Sequence, residues 1–196
     1  MVTYARVQEW MLGDPLEFSS VWGRFCKTPM SFKISQSEQD IPDRGLVSLI
    51  LGSKPCLIKT GPKIVQLTGV ARLATEIAGL QEDCLVQEMV GSVDGRMVYA
   101  IGEKNITFLS CLVKNDQGEL NRIDDQAFTR NFCKYVDSLA EQFQLLGHRG
   151  YLECKVRMEL SGVVQIWVIG ARLQLSDPVR DSLEHLSEPV LQSLVS

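Results

Sequence analysis

The residue types that most often perform enzyme chemistry are sparse in this sequence. It contains two histidines, His148 in a glycine-flanked turn and His185 on the charged side of a C-terminal helical pattern. A histidine-dependent nucleophile or a zinc site with several histidine ligands needs more of these side chains, close together. We therefore predict no catalytic residue and no metal site.

Two glycine-containing stretches mix the residue types found in phosphate-binding loops. They are Gly52-Ser53-Lys54 and Thr60-Gly61-Pro62-Lys63. A P-loop needs the spacing G-x-x-x-x-G-K-[ST], so that backbone N–H groups surround the phosphates and the lysine reaches them. The spacing differs here, and Pro62 lacks an N–H donor. We interpret both stretches as turns and predict no cofactor.

Carboxylate pairs and thiols are the remaining candidates for chemistry. Glu82-Asp83 and Asp124-Asp125 each precede a predicted strand or helix, where solvation and capping explain them. The six cysteines are widely spaced and never form C-x-x-C, which indicates reduced, buried thiols. If the protein is an enzyme, Cys26 and Cys56, which lie near turns, are the first thiols to test.

Length, charge and hydropathy favour a single domain over residues 1–196, with helical end segments at 1–26 and 176–196. A chain of 196 residues with 45% hydrophobic and 22% charged residues can bury a sizeable core. Its net charge is −4, and its basic residues are scattered, so nucleic acid is an unlikely partner. The densest basic group, His148, Arg149, Lys155 and Arg157, is diluted by Glu153 and Glu159.

The chain shows no pattern for membrane insertion or export. The longest strongly apolar stretch, Leu46 to Leu51, is much shorter than the ~20 residues that cross a bilayer. The N-terminus lacks the basic-then-apolar pattern of a signal peptide. We predict a cytoplasmic protein, without excluding the nucleus.

The apolar spacing predicts an α+β fold in which amphipathic helices pack on antiparallel sheet. The most legible strand is Tyr151 to Leu160, whose alternation predicts one buried and one wet face. The predicted elements are N-terminal helices, a hairpin of 46–51 with 56–59, a helix over 64–79, a three-strand meander over 84–113, a helix over 124–146, a C-terminal hairpin of 151–160 with 163–175, and a helix after Ser176-Asp177-Pro178.

The order of these elements resembles two known architectures. Residues 46–146 resemble the roadblock and longin layouts, which contain a hairpin, a helix, a three-strand meander and a helix. Residues 106–195 resemble the strand–helix–hairpin–helix end of secretion-chaperone folds. Both resemblances imply a protein that binds other proteins through a sheet edge or a helix face.

Apolar helix faces at both ends of the chain lead to the functional prediction. They can pack on the chain's own sheet or form an interface. The candidate interface residues are Trp10, Phe18, Trp22, Phe25, Val179, Leu183, Leu186, Val190 and Leu194. We predict a non-catalytic interaction module, an adaptor, scaffold subunit or assembly chaperone, with a protein partner or as a homodimer. The alternative is a small-molecule-binding domain with a sheet pocket lined by Met158 and Trp167.

Overall fold

The computed structural model describes residues 15–35, 44–123, 133–161 and 164–183. The chain divides into two compact units. The small unit comprises Pro29–Met89, and the large unit comprises the chain up to Thr28 and from Val90 onward. Two compact units can belong to one domain, so the single domain stays a prediction.

Helices are interspersed between single strands and runs of consecutive strands along the described chain. None of the helices in the described ranges is long and apolar enough to span a bilayer. The elements are α1 (Pro15–Trp22), β1 (Ser31–Ile34), α2 (Arg44–Leu51), β2 (Cys56–Thr60), β3 (Lys63–Leu67), α3 (Val70–Gly79), β4 (Cys84–Glu88), β5 (Val93–Ile101), β6 (Ile106–Lys114), β7 (Leu120–Arg122), α4 (Asp137–Leu145), β8 (Gly150–Glu159), β9 (Gln165–Arg172) and α5 (Asp177–Ser182).

The small unit is a four-stranded antiparallel sheet with the strand order β1-β4-β2-β3. One face of this sheet is apolar and forms a core with α2 and α3. Burial of these side chains stabilises the unit by roughly 1.5–3 kcal/mol for each large one. The core includes Ile34, Val47, Leu51, Ile58, Leu73, Ile77 and Val86.

The predicted strand at 46–51 is a helix, and the hairpin lies one element later. Val47 and Leu51, four residues apart, are both fully buried on one side of α2. A short apolar run fits a buried strand and a buried helix alike, so periodicity alone could not separate them. The hairpin joins β2 to β3 at Gly61, whose φ is 51°. Gly69, with φ 104°, marks the start of α3.

The large unit is a five-stranded antiparallel sheet with the order β7-β6-β5-β8-β9. Helices α1 and α4 cover one face, where Trp22, Tyr99 and Phe143 belong to the largest buried cluster. Helix α5 covers part of the other face through Val179 and Leu183. The pairing of β8 with β9 confirms the predicted C-terminal hairpin.

The predicted three-strand meander over 84–113 is wrong. Strand β4 pairs with β1 and β2 of the small unit, whereas β5 and β6 pair with each other in the large unit. Residues 93–96 satisfy hairpin preferences locally, yet they lie inside β5, where all four pair with β8 and the last two also pair with β6. The chain turns earlier, at Gly91, where φ is 58°. Of the predicted helix over 124–146, residues 124–132 lie outside the described residues.

Candidate functional site

The N-terminal residues of the predicted interface are placed in the core of the large unit. Phe18 and Trp22 are buried, and Phe25 is half-buried against the same cluster. The rings of Trp22 and Phe143 have centroids 4.6 Å apart. Buried side chains present no surface to a partner, so Phe18 and Trp22 act here as core residues. Trp10 lies outside the described residues.

The C-terminal residues of the predicted interface are likewise either buried in the fold or outside the described residues. Val179 and Leu183 are buried in the cluster on the second face of the large sheet. The other three predicted residues, Leu186, Val190 and Leu194, lie outside the described residues. The apolar face of α5 therefore serves the chain's own fold as far as it is described.

The predicted pocket between Met158 and Trp167 is not formed. Met158 faces the α1/α4 core and pairs with Ile166, whereas Trp167 pairs with Arg157 on the opposite face. Alternation along both strands separates the two side chains. An open polar cleft of about 420 Å³ lies elsewhere, lined by residues 92–94 and 114–118.

The two thiols selected as candidate nucleophiles are buried. Burial raises the pKa of Cys26 to about 12, and its Sγ donates to the Trp22 carbonyl. Burial, followed by the charge of Glu88, raises the pKa of Cys56. The thiolate is the reactive species. These environments are those of structural cysteines.

We expect Cys26 and Cys56 to resist alkylation in the folded protein at pH 7.5. The raised pKa values leave little thiolate at this pH, and the fraction grows only as the pH rises toward the folded-state pKa. Iodoacetamide labelling followed by peptide mass spectrometry would measure the rate of alkylation of each thiol, with the unfolded chain as the control. Labelling of either thiol at the unfolded rate would contradict the expectation.

The small unit presents two lysines on the sheet face that its helices leave uncovered. Lys33 of β1 and Lys59 of β2 both pair with Leu85 of the intervening β4. Two strand spacings place their backbones about 10 Å apart. Lys59 Nζ donates to Gln87 Oε1 at 3.5 Å, and Gln87 Nε2 donates to Ser31 Oγ at 2.9 Å.

No carboxylate shares this face among the described residues of the four strands. Its side chains are Ser31, Lys33, Leu57, Lys59, Ile64, Gln66, Leu85 and Gln87. Lysine binds phosphate as a point charge. Asp83, which directly precedes β4, accepts a hydrogen bond from Ser35 Oγ at 3.1 Å. Two lysines at one level of the sheet, on strands that carry no carboxylate on this face, form a candidate phosphate-binding surface, named here the lysine face.

The large unit carries a second basic surface, on the sheet face opposite the α1/α4 core. Arg96 of β5 lies directly opposite Lys155 of β8, and Arg172 of β9 lies opposite Glu153 of β8. Like charges directly opposite each other on neighbouring strands are unfavourable. Arg96, Lys155 and Arg172 are named here the arginine–lysine cluster.

Glu153 is the acidic residue within the arginine–lysine cluster, and its oxygens are already engaged. Only 3% of its side chain is exposed, and Oε1 lies 3.2 Å from Arg96 Nε. Ser176 donates its N–H to Oε2 at 2.7 Å and its hydroxyl to Oε1 at 3.0 Å. Ser176 directly precedes α5, and its side chain makes no cap bond to that helix. Glu153 thus fixes Arg96 and the start of α5.

Lys155 lies among positive charges while its side chain remains accessible. Partial burial, followed by the guanidinium groups of Arg96 and Arg172, lowers the pKa of Lys155 against the smaller opposing effect of Asp94 and Glu153. A bound anion would offset this repulsion. Gly170, its other cross-strand neighbour, leaves open space, because a Cβ built there meets no atom within 4 Å.

The basic residues that lie together in the structure differ from the basic group predicted from the sequence. His148 is buried, and its Nε2 donates to the Tyr151 carbonyl at 3.0 Å. Burial lowers the pKa of His148, so the ring is neutral at pH 7. Lys155 of the predicted group lies on the exposed sheet face, and its basic neighbours there include Arg96 and Arg172, which sequence reasoning missed. The alternation of Tyr151 to Leu160 was the one signal, since it placed Lys155 on the wet face.

Comparison with solved structures shows the fold. The chain is similar to N5-carboxyaminoimidazole synthetase from Staphylococcus aureus complexed with ADP, with a TM-score of 0.63 and 16% identity over 94% of this chain and 50% of that one. It is also similar to D-alanyl-alanine synthetase A from Vibrio cholerae, with a TM-score of 0.60 and 11% identity over 97% and 65%. The fold is that of ATP-grasp ligases.

A third ATP-grasp neighbour is L-amino acid ligase from Bacillus licheniformis, with a TM-score of 0.58 and 14% identity over 93% of this chain and 46% of that one. The chain spans about half to two thirds of the length of these three proteins. No protein-family model matches the sequence, and no curated protein matches it.

The ATP-grasp fold corrects three predictions. The neighbours are not of roadblock or longin type, so that predicted layout is wrong, although the α+β class with antiparallel sheet is confirmed. The non-catalytic interaction module is wrong, because the structures that share the fold are ligases and synthetases. The same finding overturns the prediction that the protein is not an enzyme. No short sequence motif marks either basic surface, because the basic residues of each surface lie singly on separate strands.

A divalent cation does not fit the face of the large unit. Nucleotide phosphates are usually accompanied by Mg²⁺, which is held by one or two carboxylates. Three described carboxylates lie on this face: Glu153 pairs with Arg96 and Asp94 with Arg157, each at 3.2 Å, and Glu159 accepts hydrogen bonds from Ser161. Within the described ranges, no three His, Cys, Asp or Glu side chains form a group that could hold a metal ion.

Proposed function

We propose that this chain binds ATP through the lysine face of the small unit and serves an ATP-dependent ligase reaction. The observation that carries the proposal is the pair Lys33 and Lys59 on one sheet face whose strands carry no carboxylate. The fold supports it, since one neighbour is a synthetase complexed with ADP and another is a D-alanine–D-alanine ligase from Bacillus anthracis complexed with ATP.

Charge supports the same proposal at the local level. The chain as a whole carries a net charge of −4, which disfavours a polyanion such as ATP. Binding therefore needs cations concentrated at the contact. A charge-assisted hydrogen bond contributes about 1.5–3 kcal/mol. Lys59 is the better positioned of the two lysines, because its ammonium group donates a hydrogen bond to Gln87 Oε1.

We expect Lys59→Ala to weaken ATP binding about 10- to 100-fold, the equivalent of one lost charge-assisted hydrogen bond. Isothermal titration calorimetry on the full chain would measure the dissociation constant. The matched control is Lys63→Ala, in the same hairpin. Lys63 is exposed, whereas Lys59 is half-buried, and it pairs with Thr60, so it lies on the other face of the sheet. We expect the control to bind ATP as the unsubstituted chain does.

Two outcomes would contradict the proposal. One is a folded chain that does not bind ATP, and the other is an equal loss in Lys59→Ala and Lys63→Ala. The neighbours are named for different compounds, from D-alanyl-alanine to N5-carboxyaminoimidazole. The proposal therefore stops at ATP-dependent bond formation. Release of ADP in the presence of a panel of carboxylic acids and amines would identify the substrates.

We propose a reducing compartment, the cytoplasm, for this activity. All six cysteines are free, and five of them are buried. Buried reduced thiols are typical of proteins kept in the presence of cellular reductants. The predicted protein partner or homodimer stays a prediction.

A further inference from the structure

The arginine–lysine cluster of the large unit is not used by the function proposed above, which concerns the lysine face. On strands β5, β8 and β9 this sheet face carries four basic residues, Arg96, Lys155, Arg157 and Arg172, against three acidic ones, Asp94, Glu153 and Glu159. Glu153 and Asp94 are paired with arginines, and Glu159, at the end of β8, accepts hydrogen bonds from the backbone N–H and the hydroxyl of Ser161. The face therefore has an excess of positive charge around Lys155 and the open space at Gly170.

We propose that Arg96, Lys155 and Arg172 form an oxyanion site that holds a phosphate-type group through fixed positive charges, without a divalent cation. Arg96 and Lys155 are direct cross-strand neighbours, and Arg172 lies one row further along the adjacent strand. Guanidinium groups bind phosphate through two parallel hydrogen bonds, and lysine adds a point charge. The ligand class is a phosphate or diphosphate dianion.

Three features of the site favour this ligand over a hydrated metal–phosphate complex. Arg96 is oriented through its bond to Glu153, whose own position is fixed by Ser176. Gly170 leaves room above the sheet for the oxygens of a ligand. A divalent cation would meet the ammonium group of Lys155, and the two carboxylates nearest to that lysine, Glu153 and Asp94, are already paired with arginines. Fixed cations thus supply the neutralisation that Mg²⁺ supplies in many phosphate sites.

Titration of the full chain with inorganic pyrophosphate tests the proposal. We expect binding in the presence of EDTA that is not strengthened by added Mg²⁺. Lys155→Ala, Arg172→Ala and Gly170→Val should each weaken it about tenfold or more, the first two by removing a charge-assisted bond and the third by filling the open space. Lys104→Ala, an exposed lysine in the turn after β5, is the matched control and should not change it.

A pH series separates a ligand contact from a structural role. Lys155 faces Arg96, Arg172, Glu153 and Asp94, and its lowered pKa means that it loses its charge at a lower pH than an ordinary lysine. Pyrophosphate binding should therefore weaken as the pH rises through that pKa. Lys155→Arg should retain binding over the same range, because arginine stays protonated.

Strict dependence on Mg²⁺, or unchanged binding in Lys155→Ala and Gly170→Val, would overturn the proposal. So would a folded chain that does not bind pyrophosphate in EDTA. These outcomes are distinct from failure of the proposed function. Loss of ATP binding in Lys59→Ala with intact pyrophosphate binding supports both sites. Pyrophosphate binding at the arginine–lysine cluster without any ATP binding would sink the proposed function alone.

Discussion

We expect Trp22→Ala to lower the free energy of unfolding by about 3–5 kcal/mol, the usual cost of removing a buried aromatic side chain. Trp22 is 5% exposed. Its ring lies 4.6 Å from Phe143 and 6.0 Å from Phe25, centroid to centroid. No neighbour can fill the space that the indole leaves without moving α1 or α4. Since domains are stable by roughly 5–15 kcal/mol, this loss is a large fraction of the total.

Chemical denaturation followed by circular dichroism would measure the change. Leu145→Ala is the control, because Leu145 is 77% exposed on α4 and its removal should alter the free energy by less than about 0.5 kcal/mol. The experiment also separates the two uses of the N-terminal apolar face. If Trp22 belonged to an interface, the substitution would change the oligomeric state and leave the stability of the isolated chain unaltered.

Glu153→Gln should destabilise the large unit by about 3 kcal/mol, because it removes one partner of a buried ion pair. The glutamine has nearly the same shape, so packing is preserved. The substitution removes the negative charge of the Glu153 carboxylate. That carboxylate faces Arg96 and accepts two hydrogen bonds from Ser176. Arg96 would then lie beside Lys155 with no compensating carboxylate. Urea unfolding midpoints and slopes would quantify the loss.

Asp94→Asn provides the matched comparison for that loss. Asp94 and Arg157 are a cross-strand pair between the same two strands, with N and O at the same 3.2 Å separation, but their side chains are 43% and 31% exposed. Exposed ion pairs contribute about 0–1 kcal/mol. Equal effects of the two substitutions would show that the burial of Glu153 does not strengthen its ion pair.

Parts of the fold were predictable because their signals are local. The alternation of β8 and the turn into β9 depend on residues close in sequence, and the hairpin follows from them. The helix over 137–145 shows the spacing expected of one buried face, with Leu139, Ala140 and Phe143 inside. The strand at 46–51 was wrong because a six-residue apolar run carries no period that distinguishes strand from helix.

The candidate sites were less predictable because their residues come from separate strands. Arg96 precedes Lys155 by 59 positions (155 − 96), and only the pairing of β5 with β8 makes them neighbours. Lys33 and Lys59 likewise become partners only because β4 inserts between β1 and β2. A single sequence contains no short motif that records such a pairing.

The sequence by itself determined the α+β class, the wet face of β8 and the burial of most of its cysteines, since each depends on side-chain type and near-neighbour spacing. Tertiary structure alone decided which strands meet, and so divided the predicted meander between two units and gathered basic side chains on two sheet faces. The physical reason is that strand pairing is made by backbone hydrogen bonds between distant segments, which the side-chain pattern of either segment does not specify.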